Sequence, residues 1–218
     1  MEPAEGVSFH SSAEGRSASL AQERLWVLSA FHPLLASYNA GYDLRIEGRL
    51  EVNALRSALA EILRRHSVLL TTFETVDGKV VCGRWNGSSA SLEVKDVRSL
   101  PGEERNATSN RIANDVVQHT FDLSKGPLFR LVLVREGERT HRLVLALHRT
   151  IGDDDSCEII VKELLAAYDG AILGNPPLVP EPPLQYADFA VRQRESMSTS
   201  EMAAHLDYWR RQCGALPV

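Results

Sequence analysis

The run Leu143-Val144-Leu145-Ala146-Leu147-His148 is apolar at every position before its final residue and shows no polar alternation. A half-buried strand alternates with a period of two, so a run this uniform belongs to a strand covered on both faces. Such a strand demands a layered molecule, with other strands at its sides and helices above and below. The run Leu128 to Arg135 supplies a neighbour, joined to the first through the polar turn Glu136-Gly137-Glu138-Arg139-Thr140. Beyond His148 the chain turns through Arg149 and Gly152 to Asp153, Asp154 and Asp155. A helix through Tyr168 follows, with Asp155 or Ser156 as its predicted N-cap.

Upstream, Ser19 is a plausible N-cap for a helix that presents Leu20, Leu25, Trp26 and Leu28 on one side and stops at Pro33. Tyr42, Leu44 and Ile46 alternate as a half-buried strand does, and Val52, Leu55, Leu59, Ile62 and Leu63 repeat at helical spacing between Glu51 and His66. Two β-branched runs about Asp77-Gly78 predict a hairpin, because that dipeptide accepts positive φ. A strand near Ser91 to Val97 and a helix near Glu103 to His119 come next, the latter entered by Pro101. The fold class is therefore α/β, a mixed sheet with packed helices. Residues 1–17 read as a loose tail, 18–170 as one lobe, 171–184 as a proline-rich linker, and 185–218 as two short helices whose partner surface is not in the chain.

Composition removes several classes of function. A formal charge of -5, with Lys and Arg scattered, offers no basic stripe for nucleic acid. No apolar run is long enough to span a bilayer, and the first residues lack the apolar core of a signal peptide, so a soluble, cytoplasmic protein with no membrane partner is expected. Cys82, Cys157 and Cys213 are odd in number and widely spaced, the pattern of reduced thiols and not of a disulfide framework or zinc site. No cofactor is expected.

The strand-to-helix junction at His148 is where α/β proteins hold ligand groups, and three chemistries compete there. His148 can be a general base, being the one group in the stretch that titrates near neutrality, whereas Arg149 cannot release its proton. Asp153, Asp154 and Asp155 can hold Mg²⁺ or Ca²⁺, although consecutive residues in a turn diverge and the spacing of a calcium loop is absent. Alternatively, Arg149 pairs with Asp153 or Asp154 and closes the junction electrostatically. A histidine at a strand end can also be an ordinary hydrogen-bonded core residue.

The stretch His148, Arg149, Asp153, Asp154 resembles the His-His-x-x-x-Asp-Gly motif of nonribosomal peptide synthetase condensation domains. Four further stretches resemble that family in the same order: Ser19 to Leu28 (Ser-x-Ala-Gln-x-Arg-Leu-Trp-x-Leu), Arg65 to Phe73, Phe121 to Arg130, and Tyr186 to Val191. The resemblance implies a chloramphenicol-acetyltransferase-like lobe, half of a two-lobed fold with the motif at the inter-lobe cleft and a second lobe as partner. It also implies a carrier domain that presents a tethered peptide. The departures matter equally. The second motif His, linked in the family to the condensation step, is Arg149; the motif Gly is Asp154; and the Glu and second Arg of the second stretch are Ser67 and Leu70, which alters polar support near the site. His-Arg-x-x-x-Asp-Asp is similar to the X domain of glycopeptide-antibiotic synthetases. That resemblance implies a lobe with no catalytic residue, which recruits a cytochrome P-450 type oxygenase to the carrier-bound peptide for side-chain crosslinking. An active amide-forming domain using His148, or a purely structural lobe, are the competing expectations. No oxygenase-binding residue can be carried over.

Overall fold

The computed structural model describes residues 16–31, 36–87, 92–175 and 180–214. The chain runs β1 (Arg16–Ser17), α1 (Leu20–Phe31), β2 (Asn39–Glu47), α2 (Val52–Arg65), β3 (Thr71–Val76), β4 (Lys79–Arg84), β5 (Glu93–Asp96), α3 (Gly102–Val117), β6 (Phe129–Arg135), β7 (Thr140–His148), α4 (Asp154–Leu173), α5 (Tyr186–Met197) and α6 (Ser200–Cys213). The expected mixed sheet is present, in the order β2-β7-β6-β5, with β7 antiparallel to both neighbours and β5 parallel to β6.

Two-sided coverage explains the uniform apolar run. Leu143, Leu145 and Leu147 enter the larger core with Leu55, Leu59 and Ile62 of α2 and Leu164 of α4. Val144 and Ala146 point the other way, onto Ala113 and Val116 of α3 beside Val132 and Val134 of β6. Each fully buried Leu, Ile or Val side chain among these contributes roughly 1.5–3 kcal/mol. The hairpin does not join this sheet. Asp77 (φ 49°) and Gly78 (φ 74°) make the expected tight turn, and β3 and β4 pair with β1 in a separate antiparallel sheet ordered β1-β4-β3. Phe73 and Val80 of this small sheet are buried in the larger core.

Several boundaries differ from the sequence reading. Arg16 and Ser17, read as the end of a loose tail, pair with Val81 and Cys82 of β4. In α1 the buried residue is Gln22, while Leu20 is more than a third exposed, so the helix is held by polar contacts more than by an apolar face. Pro33 and Ser91 lie outside the described residues. The N-cap of α4 is Asp153, not Asp155 or Ser156, and the helix runs past Tyr168 into the stretch read as linker, ending at Leu173 where Gly174 turns left-handed at φ 68°. Nor is α5 a free appendage: the Tyr186 hydroxyl lies 3.0 Å from Ser19 Oγ, Gln193 accepts the Leu20 N–H at 2.9 Å, and Arg194 donates to the Ala18 carbonyl at 3.1 Å. By contrast, α6 leaves Leu206, Tyr208 and Trp209 exposed. Among the described residues no helix is long and apolar enough to cross a membrane.

Candidate functional site

The last residue of β7 is fixed by backbone pairing on either side of it. The His148 N–H donates to the Leu128 carbonyl at 2.9 Å, the Arg149 N–H to the Tyr38 carbonyl at 2.8 Å, and the Ile151 N–H back to the His148 carbonyl at 2.9 Å. The side chain is only 5% exposed, between Phe121, edge-on at 6.4 Å, and Tyr38 at 6.3 Å. Its Nδ1 accepts the Thr150 N–H at 3.2 Å and lies 2.9 Å from Thr150 Oγ1. A backbone N–H can only donate, so the neutral ring carries its proton on Nε2. That nitrogen has no hydrogen-bond partner among the described residues. Burial lowers the His148 pKa to about 4, which leaves the ring neutral at physiological pH and a weak proton acceptor there.

Thr150 is held in turn by α1. Gln22 Nε2 donates to the Thr150 carbonyl at 3.0 Å. Gln22 Oε1 accepts the Ser19 N–H at 3.0 Å, and Ser19 Oγ accepts the Gln22 N–H at 3.2 Å, a reciprocal cap at the helix start. The opening signature, the Tyr186 stretch and the His148 motif therefore meet through Ser19 and Gln22. Sequence reasoning did not assign Thr150, Gln22, Tyr38 or Phe121 to the site. Gln22 carried a usable signal, since a Gln three residues after a Ser N-cap is half of a capping box.

The three aspartates separate. Asp153 Oδ1 accepts both the Ser156 N–H at 2.9 Å and the Ser156 hydroxyl at 2.6 Å. Those bonds, the hydroxyl first and the N–H next, hold the Asp153 pKa below the usual carboxylate range. Arg149 pairs with Asp154 and not with Asp153, through Nη2–Oδ2 at 2.9 Å, because the cap already occupies Asp153. The pair is open to water, with side-chain exposures of 37% and 69%. Asp155 is exposed in the first turn of α4. Among the described residues no group of three or more His, Cys, Asp or Glu is arranged to share a metal ion. No carboxylate hydrogen-bonds to His148, so the carboxylate that the general-base reading requires is not in place among the described residues. Cys157 in the same turn is a buried thiol that burial pushes up to about 11.

The second signature supports the fold at a different place. Arg65, almost wholly buried, donates from Nε to Glu163 Oε2 at 3.0 Å and from Nη2 to the Pro180 carbonyl at 2.7 Å. His66 Nε2 meets the same Glu163 oxygen at 2.7 Å. Gln185 donates to the Arg65 carbonyl at 2.9 Å and accepts from Ser67. Ser67 thus belongs to a knot that ties the end of the proline-rich stretch to α2 and α4. Ser67 bonds to Gln185, and the His148 ring to Thr150.

This architecture matches known proteins. The sequence fits the condensation domain family over residues 14–218. The chain belongs to that family. A linear gramicidin synthase protein of Brevibacillus parabrevis is 36% identical over 197 residues, which is 90% of this chain and 2% of that protein. The starter condensation domain of rhizomide synthetase superposes with a TM-score of 0.83 at 18% identity, over 93% of this chain and 48% of that one. The X-domain in complex with OxyB from teicoplanin biosynthesis superposes with a TM-score of 0.80 at 27% identity, over 94% of this chain and 44% of that one. The chain thus spans about half the length of these solved chains and a small fraction of the curated relative.

Proposed function

We propose that this lobe is half of a condensation-like domain of a nonribosomal peptide synthetase that no longer forms amides. It recruits a cytochrome P-450 type oxygenase to peptide held on a neighbouring carrier domain. The observation that carries this reading is the Arg149–Asp154 pair at the motif. At the position of the family's second His stands a permanently charged guanidinium, engaged by the residue that replaces the motif Gly. Arg149 cannot take a proton from an attacking amine, and the Asp154 carboxylate is held in the pair with it. His148, whose pKa lies near 4 and whose Nδ1 is occupied by Thr150, does not replace the lost base. The likeness to the X-domain of teicoplanin biosynthesis, which was solved with OxyB, supports the choice of partner. A framework kept intact around a rewritten centre suits a docking surface.

A second reading, an ordinary amide-forming condensation domain, is favoured by the relatives, among them the linear gramicidin synthase proteins. An amide-formation assay on carrier-bound donor and acceptor, run with the complete two-lobed domain, separates the two. The proposal expects no dipeptide from the wild type. Dipeptide that His148→Ala abolishes would establish the second reading instead.

A further inference from the structure

At the opposite end of β7 from the motif, seven residues and roughly 23 Å away at about 3.3 Å per residue, His141 is 2% exposed. Neither of its ring nitrogens makes a hydrogen bond to a described residue. The Gly48 backbone lies near enough to favour the charged ring, but burial outweighs it and lowers the pKa. Buried polar atoms are nearly always satisfied, and the Gly48 backbone can answer only one ring nitrogen, so the other asks for a missing partner. His141 lines a cleft of about 430 Å³, which it shares with Arg49, Glu51, Arg135, Glu138 and Arg139. That volume lies within the range of small-molecule sites.

Charge in the cleft is unevenly committed. Arg98 engages Glu138 at 2.5 Å, and Arg135 lies 3.8 Å from Asp96. Arg49 and Arg139 form no ion pair among the described residues. Two guanidiniums therefore remain against the single carboxylate of Glu51. The walls are fixed in place. The Gly48 N–H donates to the Arg139 carbonyl at 2.9 Å, clamping the loop before α2 to the β6–β7 turn, and the Glu51 N–H donates to the Tyr168 hydroxyl at 3.0 Å. Glu51 is also the N-cap of α2 and supplies no side-chain cap, so the positive end of that helix dipole adds to the field. A planar guanidinium pair with a buried imidazole is a donor set suited to a tetrahedral oxyanion.

We infer that this cleft binds a small molecule bearing a phosphate group, with Arg49 and Arg139 holding its oxygens and His141 donating to it from below. The inference does not depend on whether the motif at His148 is catalytic. Calorimetry and thermal unfolding of the complete chain would be run with inorganic phosphate and with glycerol 3-phosphate, against sodium chloride at matched ionic strength. The expected result is saturable binding and a rise in unfolding temperature that sodium chloride does not reproduce. Affinity should fall at least tenfold in the Arg49→Ala/Arg139→Ala double variant, whose changes are at exposed positions, and in His141→Leu if that variant melts cooperatively. Tighter binding of glycerol 3-phosphate would assign the site to a phosphate ester, and tighter binding of inorganic phosphate to the free anion. Absence of saturable binding of either probe, or equal affinity in the double variant, would overturn the inference.

Discussion

Burial pulls the His148 pKa down to about 4, and the consequence for stability has a definite sign. Below its ordinary value of 6.5 the unfolded chain takes up a proton that the folded ring refuses, so the native state loses stability as pH falls from 6.5 toward 4 and no further below that. Urea melts of wild type and His148→Gln across this window should show a flatter pH dependence in the variant. His119 and His141, also lowered by burial, are present in both proteins and cancel from the difference. Equal slopes would mean that the ring is solvated. Arg149→Ala tests the pair beside it. Because both partners are substantially exposed, the loss should be under about 1 kcal/mol, against about 3 to 5 kcal/mol for breaking a buried pair. Asp153→Ala removes the α4 cap and should cost more, on the order of 1 kcal/mol. A denaturant series in which Arg149→Ala is the more damaging of the two would reverse this ranking.

Elements were legible where period and turn chemistry agreed. The strand β7, the helix α2 and the hairpin about Asp77-Gly78 follow from apolar run, helical repeat and positive-φ dipeptide respectively. What could not be read was long-range polar pairing. Nothing local to Gln22 says that its amide will reach Thr150, 128 residues away, or that Arg65 will be buried against Glu163 and the Pro180 carbonyl. The choice among Asp153, Asp154 and Asp155 likewise depends on where β7 stops, which decides the carboxylate that meets the first free N–H groups of α4. The motif residues were found, and the Arg149–Asp154 pair was one of the two pairings expected, but the partners of His148 and Asp153 were not read. Two substitutions address these joints by thermal and chemical unfolding. Glu163→Ala takes from buried Arg65 its Nε partner and should cost about 3 kcal/mol. Gln22→Ala leaves the buried Thr150 carbonyl and the Ser19 cap without their partner, and should cost about 1–3 kcal/mol. A Glu163→Ala change of a few tenths of a kcal/mol would place Arg65 in water.

On the scale of the whole molecule, the lobe presents a retained framework, an altered motif and an uncovered helix α6 with Leu206, Tyr208 and Trp209 toward solvent. We propose that a second lobe forms a cleft against the end of β7 that carries His148 and Arg149. An oxygenase would then meet the outer surface, where α2 carries exposed Arg56 and Arg64 and α3 carries exposed Glu103, Glu104, Arg111 and Asp115. Restoring the motif with Arg149→His and Asp154→Gly should not by itself yield dipeptide, since catalysis needs donor and acceptor placed to within about an ångström by a channel the motif does not build. The most direct measurement is calorimetry of the two-lobed domain with the P-450 type oxygenase. Wild type would be compared with His148→Ala and with charge reversals on α2 and α3, each confirmed folded. The account predicts unchanged affinity for His148→Ala, weaker binding for reversals on at least one outer helix, and weakening with salt. Affinity lost in folded His148→Ala and kept in every surface variant would contradict it.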